Sequence, residues 1–134
     1  MICTVEYATS LEQVRKRRLT MLKIEAIFRP ERVTAVTEAL VEAGVTGFHY
    51  QNVTGQGQQK GIEVVTGRGG QATTRASSSK TLLVTVIDNS KKDTVIDAIV
   101  SAARSGEIGD GKIFVSEVSD TIRVRTGESG DSAI

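Results

Sequence analysis

The chain has 134 residues, enough for one domain that buries most of the surface its unfolded form exposes. Hydrophobic residues make up 39% and charged residues 25%, the balance of a soluble globular protein, which excludes a disordered polyelectrolyte. With 17 basic and 16 acidic residues the net charge is +1, so no overall field draws nucleic acid or an anionic membrane, and any anion site must be local.

One cysteine, Cys3, and one histidine, His49, exclude a disulfide framework and a His/Cys metal cluster within one chain. No apolar run approaches the roughly 18 residues of a membrane span, and the N-terminus lacks the apolar core of a signal peptide. A cytoplasmic protein is expected. Residues 1–20 carry the basic cluster Arg15-Lys16-Arg17-Arg18 ahead of a second methionine, Met21, where strong patterning begins. They are expected to be an extension outside the fold, with residues 21–134 forming the domain.

From Leu22 the residues Leu22, Ile24, Ala26 and Phe28 alternate with Lys23, Glu25 and Arg29, the period of a half-buried strand. Pro30 then opens a helix whose apolar residues Val33, Val36, Leu40 and Ala43 recur at helical spacing, with Gly44 as its left-handed stop. A strand follows from Phe48 to Val53. The unit recurs: a strand over 81–87, a helix with Val95, Ile96, Ile99, Val100 and Ala103 on one face, and a strand over 112–118. Ser90 with Asp93 resembles a capping box, and Gly106 is expected to end the second helix. The order βαβ-βαβ predicts an α+β, ferredoxin-like sandwich, an antiparallel sheet with both helices on one face. A short final strand is expected over 121–125.

Between the halves lies Gly55 to Lys80, with glycines at 55, 57, 61, 67, 69 and 70 and serines at 77, 78 and 79. Two adjacent antiparallel strands need only two to five linking residues, so the surplus is functional or disordered. The serines offer phosphorylation sites, though a serine run is also an ordinary linker.

The segment Gly106 to Lys112 sets three glycines and a lysine between the second helix and its strand. Glycines let backbone N–H groups approach an anion closely, and the lysine adds a point charge. The segment matches G-x-x-x-x-G-K, yet Ile113 stands where a P-loop needs Ser or Thr, and the order is helix–loop–strand, so it is not a Walker motif. A helix stop with a tight turn has the same composition. Arg123 and Arg125, two apart on the expected final strand, would leave one face about 7 Å apart, the reach of adjacent phosphates. Ile122 and Val124 would then face the core.

Four segments in this order and spacing resemble the PII signal-transduction family: Lys23-Ile-Glu-Ala-Ile-Phe-Arg-Pro30, Gly55-Gln-Gly-Gln-Gln-Lys-Gly61, Arg104-Ser-Gly-Glu-Ile-Gly-Asp-Gly-Lys-Ile-Phe-Val115 and Ile122-Arg-Val-Arg-Thr-Gly-Glu128. The resemblance implies a homotrimer of ferredoxin-like subunits with ATP or ADP in each cleft between neighbours. It puts the phosphate loop, about residues 105–112, at Gly109, Asp110, Gly111 and Lys112, and the C-terminal phosphate arginines at Arg123 and Arg125, within a segment 121–134. Ile27, His49 and Val86 would surround adenine and ribose, with Gly57 and Gln58 near the phosphates. Gln59, Gly61 and Lys80 would hold 2-oxoglutarate, Gln59 also serving magnesium, and residues 55–80 would be the T-loop that docks on a transporter or metabolic enzyme.

The chain departs from the family in three places. No tyrosine occurs between Gln51 and Lys80, which excludes the usual nucleotidylylation; the loop is about two residues longer; and Gln56 and Gln58 replace a common phenylalanine and arginine. Loss of that arginine removes a bidentate donor to the phosphates. The expected function is a non-enzymatic nitrogen and energy regulator. The alternatives are an adenylate-only sensor without a 2-oxoglutarate response, a ferredoxin-like RNA-binding domain, and a small phosphate-ester hydrolase with Arg123 or Arg125 as clamp. With three phenylalanines and two tyrosines the chain is poor in stacking residues for RNA, no nucleic-acid partner is expected, and no general base accompanies the clamp.

Overall fold

The computed structural model describes residues 21–56, 62–66, 71–75 and 78–134. The extension expected over residues 1–20 lies outside them, as do Gly57, Gln58, Gln59 and Gly61.

Strand β1, Met21–Phe28, buries Leu22, Ile24, Ala26 and Phe28 and turns Lys23, Glu25 and Ile27 the other way, as its alternation requires. A 3-10 turn at Pro30–Arg32 leads into helix α1, Val33–Glu42. Proline fits this entry because its fixed φ suits a first turn and no intrahelical partner awaits its missing N–H. The helix ends as its composition predicts. Gly44 takes φ +84° and its N–H donates to Val41 O, while Val45 N–H donates to Leu40 O, and the two apolar partners, Val45 and Leu40, are both buried.

Strand β2, His49–Gly55, follows, then a two-stranded pair β3, Ile62–Thr66, and β4, Gln71–Arg75. Strand β5, Ser78–Asp88, leads through a 3-10 turn to helix α2, Lys92–Ala103, and strand β6, Gly111–Glu117. The main sheet has the order β2-β5-β1-β6 with every pair antiparallel, the ferredoxin-like arrangement. Its helix-side face, with Val36 and Leu40 of α1 and Val95, Ile99 and Ala103 of α2, forms one continuous core. Thr85, buried on that face, donates its hydroxyl to Gly47 O and so fixes the lead into β2. Among the described residues no helix is long and apolar enough to cross a membrane.

Four local expectations need correction. The β2–β5 ladder runs on to Gly55 opposite Ser78, so both ends of the expected 55–80 loop are sheet, and part of its middle is the β3–β4 pair. The proposed capping box is absent. Asp88 caps the turn by accepting from Ser90 N–H, and α2 starts at Lys92 with no side-chain cap of its own. Helix α2 ends at Ala103 because Arg104 is already extended; Gly106, at φ +88°, turns the loop after the helix has stopped.

The largest difference concerns the C-terminus. No strand forms over 121–125. Instead Ile122 pairs with Ser129 in a single bridge, Gly127 N–H donates to Arg123 O, Arg123 N–H donates to Glu128 O, and a 3-10 turn closes the chain at Gly130–Ala133. Ile122 and Val124 do not face the core: they are 65% and 99% exposed.

Candidate functional site

The loop joining α2 to β6 is built around Asp110. Its carboxylate accepts from Ser105 N–H and Gly106 N–H, each at 2.9 Å, and from the Ser105 hydroxyl, so the side chain folds back over its own loop. Arg29, just past the end of β1, donates Nε to the same carboxylate at 3.3 Å and Nη2 to Ile108 O at 2.9 Å. The Ser105 hydroxyl above all, against the opposing effect of burial and with help from the Gly106 and Ser105 amides and the Arg29 guanidinium, holds the Asp110 carboxyl far below the usual carboxylate range. The carboxylate thus stays ionised, and its charge is offset within the loop by the Arg29 guanidinium.

Glycine is required at the loop's end. Gly111 has φ +118°, and a Cβ there would lie 1.7 Å from Ile27 O and 2.7 Å from Ile27 C. The loop therefore presses directly on the β1 backbone, where Gly111 pairs with Phe28 and Lys112 with Ile27. Lys112 is exposed, and among the described residues it takes no part in the ion pairs, which are Lys23–Glu25, Arg29–Asp110 and Arg123–Glu128.

Lys80, on β5, donates Nζ to Gly109 O. Partial burial, then the neighbouring Arg29 charge, lowers its pKa, opposed by Glu31 and Asp110. One end of the long insertion is thus hydrogen-bonded to the glycine loop. The sequence pattern gave Lys80 no such partner, and Arg29 and Ser105 were not singled out at all. Arg29 was legible only through topology: once β1 and β6 pair antiparallel, the end of β1 must abut the start of β6.

Ile27, His49 and Val86 all lie on the sheet face away from the helices, but not in one cluster. Ile27 stands across from Leu82 and Lys112, beside the loop, whereas His49 pairs with Val84 and Val86 with Lys23, further along the sheet. Arg123 and Arg125 are not brought to the loop. The Thr121 hydroxyl donates to Met21 Sδ and Val118 N–H donates to Met21 O, so the C-terminal segment is anchored at the opposite end of β1 from Phe28, about 20 Å along the sheet. The paired-guanidinium geometry expected of a strand also fails. Arg123 is engaged by Glu128 at 3.2 Å and donates to Ser132 O, while Arg125 is exposed. Within one chain the lysine-and-glycine loop and the arginine segment sit apart. Among the described residues no group of three or more His, Cys, Asp and Glu side chains could hold a metal ion.

Comparison with known proteins gives this geometry a family. A family model described as Nitrogen regulatory protein P-II matches residues 21–128. The chain belongs to the P-II family. A Nitrogen regulatory protein P-II of Synechocystis sp. is 46% identical over 114 residues, 85% of this chain and 100% of the relative. Among solved structures, Arabidopsis thaliana PII bound to citrate superposes with a TM-score of 0.69 at 38% identity, covering 86% of this chain and 92% of that one. A GlnK–ATP complex from B. subtilis superposes with a TM-score of 0.68 at 30% identity, covering 86% and 98%. The P-II match begins at Met21, where β1 begins.

Proposed function

We propose that this P-II protein is a regulator that binds ATP or ADP between neighbouring subunits of a homotrimer and reports occupancy to a target protein through its long loop. The observation that carries the reading is the separation just described: the glycine loop with Lys112 at one end of the sheet, the arginine segment at the other. A second copy of the chain would bring Arg123 and Arg125 to the first copy's loop, completing one anion site per interface. The ATP complex of the B. subtilis relative supports the choice of ligand. Ile27, His49 and Val86 would border the base and ribose, Gly57, Gln58, Gly109, Asp110, Gly111 and Lys112 the phosphates.

In this reading Lys80 is the pivot. Its ammonium, now on Gly109 O, would serve the carboxylates of 2-oxoglutarate together with Gln59 and Gly61, and the exchange of partners would loosen or tighten the loop. Magnesium would be held mainly by the nucleotide's own phosphates, with Gln59 as a protein ligand, consistent with its preference for few protein ligands. The work is done by binding, without a catalytic step. The target, a transporter or a metabolic enzyme, would read the loop in the cytoplasm, and residues 1–20 would stand outside the domain.

Calorimetric titration of the full chain with ATP and ADP, each with and without magnesium and 2-oxoglutarate, tests this. Nucleotide binding that tightens with 2-oxoglutarate and magnesium is the expected result. Binding indifferent to 2-oxoglutarate would make the protein an adenylate-only sensor, and no binding of either nucleotide would overturn the reading.

A further inference from the structure

The glycine loop is fixed at both ends by regular structure, at Ala103 by α2 and at Gly111 by the β1–β6 ladder. Its middle is not. Among the described residues, two cations hold residues 108–110 from outside the loop: Arg29, which binds Ile108 O and the Asp110 carboxylate together, and Lys80, which binds Gly109 O. A trans peptide is planar, with its C=O and N–H pointing in opposite directions. Drawing Ile108 O toward Arg29 therefore turns the N–H of Gly109 to the other side of the loop, where it meets no acceptor among the described residues.

We propose that Arg29 is a positioning residue for the phosphate-binding loop, setting the Ile108–Gly109 peptide plane so that Gly109 N–H faces a bound phosphate, without touching the ligand itself. This rests on the nucleotide-binding reading above. The geometry suits arginine in particular. One planar fork spans a carbonyl and a carboxylate two residues apart, which a single ammonium cannot do with the same angular control. Its side chain and that of Asp110 are only 26% and 25% exposed, so the pair is sheltered from much of the solvent competition that weakens surface contacts. Arg29 also follows β1 directly and precedes Pro30, whose ring restricts it to the extended conformation observed, φ −63° and ψ 135°. The backbone that carries the fork is thus itself held.

The test uses the full chain and two variants, Arg29→Gln and Arg29→Lys, with ATP and ADP calorimetry, thermal melting, and amide hydrogen exchange at Ser105 and Gly106. Arg29→Gln should weaken ATP and ADP alike by roughly tenfold, the cost of losing one well-placed charged hydrogen bond. Its melting transition should stay unchanged, and exchange at Ser105 and Gly106 should quicken. Arg29→Lys should fall between. In a double-mutant cycle with Asp110→Asn the two losses should sum to more than the double variant shows. Wild-type affinity in Arg29→Gln would overturn the proposal, as would a loss confined to ATP, which would mean direct contact with the terminal phosphate. A loss that only tracks a lowered melting temperature would overturn it as well. If the unmutated chain binds neither nucleotide, the proposed function itself fails, a result read before any variant is made.

Discussion

A methyl group at position 111 has nowhere to go: it would overlap Ile27 O, and the backbone there sits at a positive φ that other residues avoid. Gly111→Ala should therefore cost about 3 kcal/mol in chemical denaturation and abolish nucleotide binding. Gly47→Ala, where an added Cβ meets nothing within 4 Å, should be close to neutral. Asp110 gives a pH dependence. Its folded-state pKa is lowered, so between the two values the unfolded chain holds more protons and stability rises with pH. The contribution is complete above about pH 4 and disappears as pH falls through the folded-state value. Protection of Gly106 N–H should fade over the same acid range in the wild type, and Asp110→Asn should remove that pH dependence. At this scale the glycine loop was legible because its composition alone marks a close backbone approach, which Gly111 makes to Ile27. Arg29 and Ser105 were not, since they act through partners distant in the chain or hidden in one turn.

Among the elements, those whose burial is settled inside one chain were read most accurately. The alternation of β1 and the spacing of Val36 and Leu40, or of Val95 and Ile99, reflect packing against one another, and all of these side chains are buried. The errors came where a short pattern admits two structures. Ser90 and Asp93 have the spacing of a capping box, but the chain enters the helix through a 3-10 turn, and Asp88 takes the capping role one step earlier. Asp88→Ala should cost about 1 kcal/mol in thermal or urea unfolding, while Ser90→Ala, which keeps the donating N–H, should cost much less. The alternation of Ile122, Arg123, Val124 and Arg125 reads as a strand by period alone. A strand also needs an edge to pair with, and the segment instead folds on itself: Arg123 N–H donates to Glu128 O, Gly127 N–H donates to Arg123 O, and the Arg123 and Glu128 side chains form an ion pair.

For the molecule as a whole, the unexplained apolar surface points outward. Phe114 is 50% exposed on the sheet face away from the helices, across from Glu25, and Ile122 and Val124 stand in solvent. In the proposed trimer, neighbouring copies would cover this surface. Light scattering should report three chains for the wild type. Phe114→Glu, placing a charge beside Glu25 in that contact, should yield single chains that no longer bind nucleotide. The fold was legible because it depends on short-range periodicity and connection order; the assembly entered only through family resemblance, because period says which face is apolar and not what covers it.

In the proposed assembly the two halves of the anion site, anchored at opposite ends of β1 in each chain, would make every site the joint property of two polypeptides. Two defective proteins should then repair one another. Lys112→Ala lacks a working loop, and the Arg123→Ala/Arg125→Ala double variant lacks the clamp, so each alone should bind nucleotide poorly. Unfolded, mixed in equal amounts and refolded together, they should recover about a quarter of the wild-type sites, each formed where an intact loop meets an intact arginine segment. If both halves served the same subunit, the mixture would stay as inactive as its parts.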